Sequence, residues 1–244
     1  MFRFALVTLV KNKAAFLKPC FKSVKEQKFK NFLYIVVNDG SEDHSDEIIR
    51  KFQSKHKNVR YYSFKDSAGQ MPRYNFILKE INKKYPHIKY MGHLDADDML
   101  LPGAVHEGIK YFETTRQKDI GHISSHFYII DASGKVINKR PRIYPKLISK
   151  SNWRHAQVTN NLFGHFRVMR IDCLNDVGGF DEQFKYATDY NMACRMLDKY
   201  NVAIHPRVLY LWRQHKNQVE KLSGKEQTKC WKDMQKYYKK RWGI

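Results

Sequence analysis

The heptapeptide Gly92-His93-Leu94-Asp95-Ala96-Asp97-Asp98 puts three carboxylates within four positions, directly after an apolar run. Left unpaired, such carboxylates repel one another. A divalent cation relieves that repulsion, and hard oxygen ligands suit Mg2+ or Mn2+. An ion held there would bridge two phosphates and stabilise a departing diphosphate. The same residues also suit an acidic cap ahead of Pro102, so the triplet alone leaves both readings open. Asp39, in Val36-Val37-Asn38-Asp39-Gly40-Ser41, either shapes a turn or faces a base or ribose. Gly178-Gly179-Phe180-Asp181-Glu182 precedes Asp189, which either caps a helix or serves as a general base. Tyr210-Leu211-Trp212-Arg213-Gln214-His215 adds an arginine suited to a diphosphate and a histidine suited to a metal shell.

Regular elements must position these groups. Apolar runs at Phe4–Val10, Phe32–Val37, Val59–Phe64 and Ile88–Leu94 read as strands, and helical patterns at Ala14–Glu26, Ser45–Phe52, Pro72–Lys84 and Pro102–Thr115 alternate with them. This alternation predicts βαβ units, a mainly parallel sheet and helices on both faces. Ligands then bind beyond the carboxyl ends of the strands, where Asp39 and Asp95–Asp98 fall. Downstream, Ile120–Ile130 and Lys135–Asn138 flank the turn Asp131-Ala132-Ser133-Gly134. An irregular basic stretch to about Gln157 follows, then a helix over Thr188–Tyr200, strands over 202–204 and 207–212, and a basic tail. One domain over 1–223, with halves near 1–118 and 119–223, and a helix over 224–244 is the economical division.

The chain has 244 residues and carries 45 Lys and Arg against 24 Asp and Glu, a net charge of +21. That field attracts anions. It is uneven: from Ala132 to Ile171 there is no acid, but there are nine bases, Lys135, Lys139, Arg140, Arg142, Lys146, Lys150, Arg154, Arg167 and Arg170. Cys20, Cys173, Cys194 and Cys230 form no C-x-x-C pair and read as reduced structural thiols. No stretch approaches the ~18 apolar residues of a membrane span. Phe4–Val10 is too short for a signal peptide, so a cytoplasmic chain is expected.

In this order the motifs resemble those of the family 2 glycosyltransferases, from Phe4 to about Ser223. The opening strand and loop look like Ala5–Asn12, the nucleotide-binding turn like Val37–Ser41, the metal motif like Leu94–Asp98 and the acceptor-side signature like Gly178–Glu182. The resemblance implies a GT-A fold and a single, inverting sugar transfer from a nucleotide-diphosphate donor, most readily a UDP-sugar. It implies that Thr8, Val10 and Asp39 hold the base side of the donor, and that Asp95 and Ala96 lie at ribose and metal. Asp95, Asp97 and His215 would hold Mn2+ or Mg2+, and Asp189 would be the base. Arg73 and Asn75, expected at the phosphates, depart from the family's adjacent Arg-Asn pair because Tyr74 separates them. Arg213 is then the alternative diphosphate partner. Thr188 stands where the family usually carries an acid.

The acid-free window falls on the acceptor side, which predicts a glycan or lipid-linked acceptor that is anionic or lies at an anionic surface. Trp231, Met234, Tyr238 and Trp242 recur at roughly helical spacing among lysines. Such a helix either lies peripherally on a membrane or packs on its own domain. The basic charge also suits nucleic-acid binding, but no nucleic-acid motif is present and no nucleic acid is expected. A nucleotidyltransferase would carry a glycine-rich loop after the first strand, and Thr8–Lys13 has no glycine.

Overall fold

A computed structural model describes residues 2–28, 30–117, 119–138, 140–143, 149–160, 162, 164–216, 218 and 224–244. The strands are β1 (Phe4–Val10), β2 (Leu33–Asp39), β3 (Val59–Phe64), β4 (Tyr90–His93), β5 (Met99–Leu100), β6 (Ile120–Ile130), β7 (Val168–Arg170) and β8 (Asn201–Arg213). The helices are α1 (Ala14–Lys25), α2 (Ser45–Gln53), α3 (Gln70–Lys84), α4 (Ala104–Thr114), α5 (Lys150–Thr159), α6 (Ile171–Asp176), α7 (Thr188–Lys199) and α8 (Gly224–Trp242).

One sheet runs β3-β2-β1-β4-β7-β6-β8-β5. β3, β2, β1 and β4 are parallel neighbours, as are β6 and β8, whereas β7 and β5 pair antiparallel. Alternate residues of β1 and β2 enter different cores, Phe4, Leu6, Tyr34 and Val36 on one face and Ala5, Val7, Leu33, Ile35 and Val37 on the other. That double burial explains their continuous apolar runs. α1, α2 and α4 close the first face, and α3, α5, α6 and α7 the second.

The first half follows the sequence reading closely, but the second half departs from it. The stretch read as irregular to Gln157 ends in α5. Ser149 caps it by accepting from the Asn152 N–H, and Trp153 and Val158 bury its inner side. The two strands expected over 202–204 and 207–212 are one strand. Pro206 cannot donate, and the ladder absorbs it through register shifts opposite Ser125 and His126. β5, β7 and α6 are too short to stand out as periodic segments.

α8 packs against the body. Met234 and Tyr238 are buried beside Val158, Ala187, Tyr190 and Cys194, and Trp231 and Trp242 border the same cluster. The Trp242 indole N–H donates to Asp198 at 2.7 Å, and Arg241 pairs with the same carboxylate at 2.8 Å. Trp231, Met234, Tyr238 and Trp242 are therefore committed to the domain, and Tyr237 and the lysines face outward. Among the described residues, no helix is long and apolar enough to cross a membrane.

Candidate functional site

Carboxylates gather where β1, β2 and β4 end, and the sequence supplies the turns that hold them there. Gly40 adopts φ +69°, and a Cβ on it would stand 2.7 Å from the Lys65 carbonyl oxygen. Only glycine fits this close approach, which lets Asp39 face the segment after β3. The Asp39 carboxylate accepts from Ser67 Oγ (2.7 Å), the Ala68 and Gly69 N–H groups (2.9 Å each) and Arg73 Nε (2.6 Å). Burial alone would raise its pKa, but these four donors outweigh it and hold the carboxyl below the usual range. Arg73, expected at the phosphates, is thus an ion-pair partner of Asp39, its guanidinium 3.6 Å above the Phe64 ring.

Thr8, expected beside the base, is fully buried, and its hydroxyl accepts from Tyr34 at 3.0 Å. Val10 and Ala96 are buried too. Asn75 is also turned inward. Its amide donates to the Phe180 carbonyl (2.8 Å) and to Glu182 (2.7 Å), and its oxygen accepts from the Phe180 N–H (2.7 Å). It clamps the Gly178–Glu182 turn to α3.

The β4 carboxylates divide into three environments. Asp97 meets Lys13 Nζ at 2.6 Å and His215 Nε2 at 2.9 Å, both on Oδ2. Asp95 faces Arg167 at 3.1 Å and His165 at 3.5 Å. Burial would raise the Asp95 pKa, but the Arg167 guanidinium holds it well below the usual range. Asp98 is buried, accepting from Tyr210 Oη (2.8 Å) and the Arg213 N–H (2.7 Å). Burial, with Asp97 and Asp95 nearby, pushes its pKa well up.

Arg213, expected at the diphosphate, is an internal strut. Its guanidinium donates to the carbonyls of Asp97 (2.6 Å), Ala132 (2.9 Å) and Asp131 (3.1 Å), and only 1% of the residue is exposed. Asp189 sits in the first turn of α7, with Arg167 Nη1 3.8 Å from its carboxylate. One guanidinium thus stands between Asp95 and Asp189. A small cavity of about 30 Å³ lies there, lined by Tyr74, His93, Arg167, Phe180 and Asp189 among others. Tyr74 stacks on His93 with centroids 4.1 Å apart. Burial, then Arg167, pushes His93 well below its ordinary pKa, which keeps it neutral.

Sequence reasoning missed Lys13, His165 and Arg167. By sequence Arg167 is one of the bases of the acid-free window. Its position inside the apolar run Phe166-Arg167-Val168-Met169 was the signal that it points inward to a carboxylate.

The residues fit a divalent cation. Asp97 and His215 already converge, and the Lys13 ammonium stands on the same oxygen, where an ion would take its place. Asp95, Asp98 and His165 also bring ligand atoms within 4.8 Å of one another. Both Asp98 oxygens are engaged by Tyr210 and Arg213, and both Asp95 oxygens face Arg167. The carboxylate oxygens suit Mg2+ or Mn2+.

The sequence pattern of glycosyl transferase family 2 matches residues 5–178. The chain belongs to that family. An uncharacterized glycosyltransferase of Methanocaldococcus jannaschii is 31% identical over 131 residues, 53% of this chain and 43% of that protein. The chondroitin synthase of Pasteurella multocida is 27% identical over 189 residues, 76% of this chain and 18% of that protein. The chain thus spans less than half the length of either relative. Among solved structures, S. aureus TarS 1–349 in complex with UDP-GlcNAc superposes with a TM-score of 0.69 at 16% identity, covering 89% of this chain and 60% of that one. The mannosyltransferase PcManGT of Pyrobaculum calidifontis, in complex with GDP-Man and Mn2+, gives 0.63 at 14% identity, covering 93% and 60%. The fold is GT-A.

Proposed function

We propose that the protein transfers one sugar from a nucleotide-diphosphate donor, a UDP-sugar in the first instance, to an acceptor hydroxyl with inversion at the anomeric carbon. The observation that carries this reading is the single guanidinium of Arg167, with the Asp95 carboxylate on one side and Asp189 on the other. It ties a donor-side carboxylate to a base that, together with Arg167, lines one small cavity. Asp95, Asp97 and His215 would hold the Mn2+ or Mg2+, which when bound supplies positive charge to the diphosphate leaving group.

Asp189 takes the proton of the acceptor hydroxyl, and that oxygen forms the new bond to the anomeric carbon. The bond to the diphosphate oxygen breaks, and the nucleoside diphosphate leaves with the electron pair. Arg167 orients Asp189 by its charge. Nucleotide sugars in the TarS and PcManGT structures, and Mn2+ in the latter, support the choice of donor class and ion. The names of the chondroitin synthase and of a teichoic acid poly(glycerol phosphate) polymerase of Staphylococcus epidermidis support a glycan or other polymeric acceptor.

A thermal-shift screen of nucleotide sugars with and without Mn2+ tests the reading and names the donor. Stabilisation by one nucleotide sugar, enhanced by Mn2+, is expected. The Asp189→Asn variant should bind that donor normally and lose transfer by a factor of about 10² or more. Near wild-type transfer with intact donor binding would remove Asp189 from the role of base.

A further inference from the structure

The nine bases of the acid-free window do not form one surface. Arg167 is spent on Asp95, Arg170 on Asp172, and Lys150 and Arg154 on carbonyls at the end of α7. Of the described bases, Lys135, Arg140 and Arg142 remain exposed, all in the segment that returns along β6. Backbone hydrogen bonds tie described residues of it to β6 and its turn. Asp131 N–H donates to Lys135 (2.9 Å), Ile137 N–H to Ile129 (2.8 Å) and Arg142 N–H to Phe127 (2.7 Å). The Arg213 strut holds the turn from beneath, through the carbonyls of Asp131 and Ala132.

The same segment exposes Val136 (44%), Ile137 (50%) and Ile143 (67%). Among the described residues these are three of the five large hydrophobic side chains most open to solvent; the others are Tyr237 and Ile244. Three large apolar side chains open to solvent within eight residues, beside three exposed bases, give this segment apolar and cationic character together. Basic side chains alone would serve any polyanion. Val136, Ile137 and Ile143 gain only where an apolar phase is also offered, and an anionic bilayer offers both.

We propose that the hairpin residues Lys135–Asn138 and Arg140–Ile143 dock the protein on an anionic lipid bilayer, with the bases on the headgroups and the three aliphatic side chains among the acyl ends. The docking element is thus the hairpin and not α8, whose Trp231, Met234, Tyr238 and Trp242 are committed to the domain. Arg213 bonds both to the hairpin turn and to the Asp97 carbonyl, so the bilayer contact shares one buried strut with the carboxylate cluster. The proposal stands on this surface alone. Nucleotide-sugar thermal shifts read the transferase reading separately, so either can fail without the other.

The test is co-sedimentation with vesicles of phosphatidylcholine, pure or with phosphatidylglycerol at three parts in ten, at low and high salt. The wild-type protein should sediment with the anionic vesicles, lose most binding at high salt and ignore pure phosphatidylcholine. The double substitution Ile137→Asp/Ile143→Asp should lower the partition coefficient by roughly tenfold or more. The milder pair Val136→Ser/Ile143→Ser should lower it by about threefold. The reversal Lys232→Glu/Lys236→Glu/Lys239→Glu on α8 should change it by less than about twofold. Exposed positions should leave the thermal midpoint within about 2 °C of wild type; should the aspartate pair fail to fold, the serine pair decides. Absent wild-type binding, wild-type binding by the folded hairpin variants, or loss confined to the α8 variant would overturn the proposal.

Discussion

Replacing Arg213 by methionine separates two roles for a residue that the sequence assigns to the diphosphate and the structure assigns to the interior. The substitution keeps an unbranched apolar stem and deletes every donor. Three hydrogen bonds are lost, to Asp97, Ala132 and Asp131, and three carbonyls are left short of a partner. Hydrogen bonds involving a charged group contribute about 1.5–3 kcal/mol each. Removing a buried cation returns part of its desolvation cost. The net destabilisation is about 3–4 kcal/mol, and at about 2–4 °C per kcal/mol for a chain of this size the midpoint should fall by roughly 10 °C. Arg213→Lys should fare little better, because an ammonium cannot reproduce the fork. Urea unfolding gives the stability change, and calorimetric titration of the nucleoside diphosphate with Mn2+ gives donor affinity. The reasoning is refuted if Arg213→Met melts within about 2 °C of wild type while affinity for the diphosphate falls more than about tenfold.

Further expectations follow from the same contacts. Gly179 holds φ +71°, and a Cβ on it would lie 2.6 Å from Asn75 Oδ1. Gly179→Ala should cost about 2–3 kcal/mol through strain and loss of the Asn75 clamp. Combined with Asn75→Ala it should cost clearly less than the sum, in a double-mutant cycle read by thermal melts; strict additivity would deny the coupling. Asp39 has a folded pKa below its unfolded value, so its contribution is complete above the ordinary carboxylate range and is lost as pH falls through the depressed value. Wild type and Asp39→Asn should therefore differ in midpoint at neutral pH and converge only below the depressed folded value, in acid stronger than the ordinary carboxylate pKa of about 4; a gap that persists there would assign the loss to packing. Truncation of residues 224–244 should uncover the pocket of Met234 and Tyr238, at about 1.5–3 kcal/mol each, and lower the midpoint by about 10 °C. An unchanged midpoint would mean that the helix is not part of the folded body.

The amino-acid order by itself determined the first half of the fold. β1 and β2 are apolar runs because both of their faces are covered, and α1 to α4 show one-sided patterns because only one side is. Local signals of that kind do not depend on distant partners. The carboxylate positions were legible for the same reason, since a residue that ends a strand of a parallel sheet must lie at the ligand edge. Short elements were not legible. β7 spans three residues, and its place between β4 and β6 comes from pairing with strands far away in the chain. α5 rests on a serine cap and two apolar positions, too few to make a period.

The partners of the charged groups were decided only in three dimensions. Nothing local distinguishes Arg213, buried against three carbonyls, from an arginine that meets a ligand, because the carbonyls belong to segments 81 to 116 positions away. Lys13, His165 and Arg167 reach the Asp95–Asp97 cluster across 72 to 84 positions, or 70 for His165. Charge attraction is long-ranged in space but leaves no periodic trace in sequence. The carboxylates could therefore be placed from the order of residues, while the cations that neutralise them were assigned by the fold.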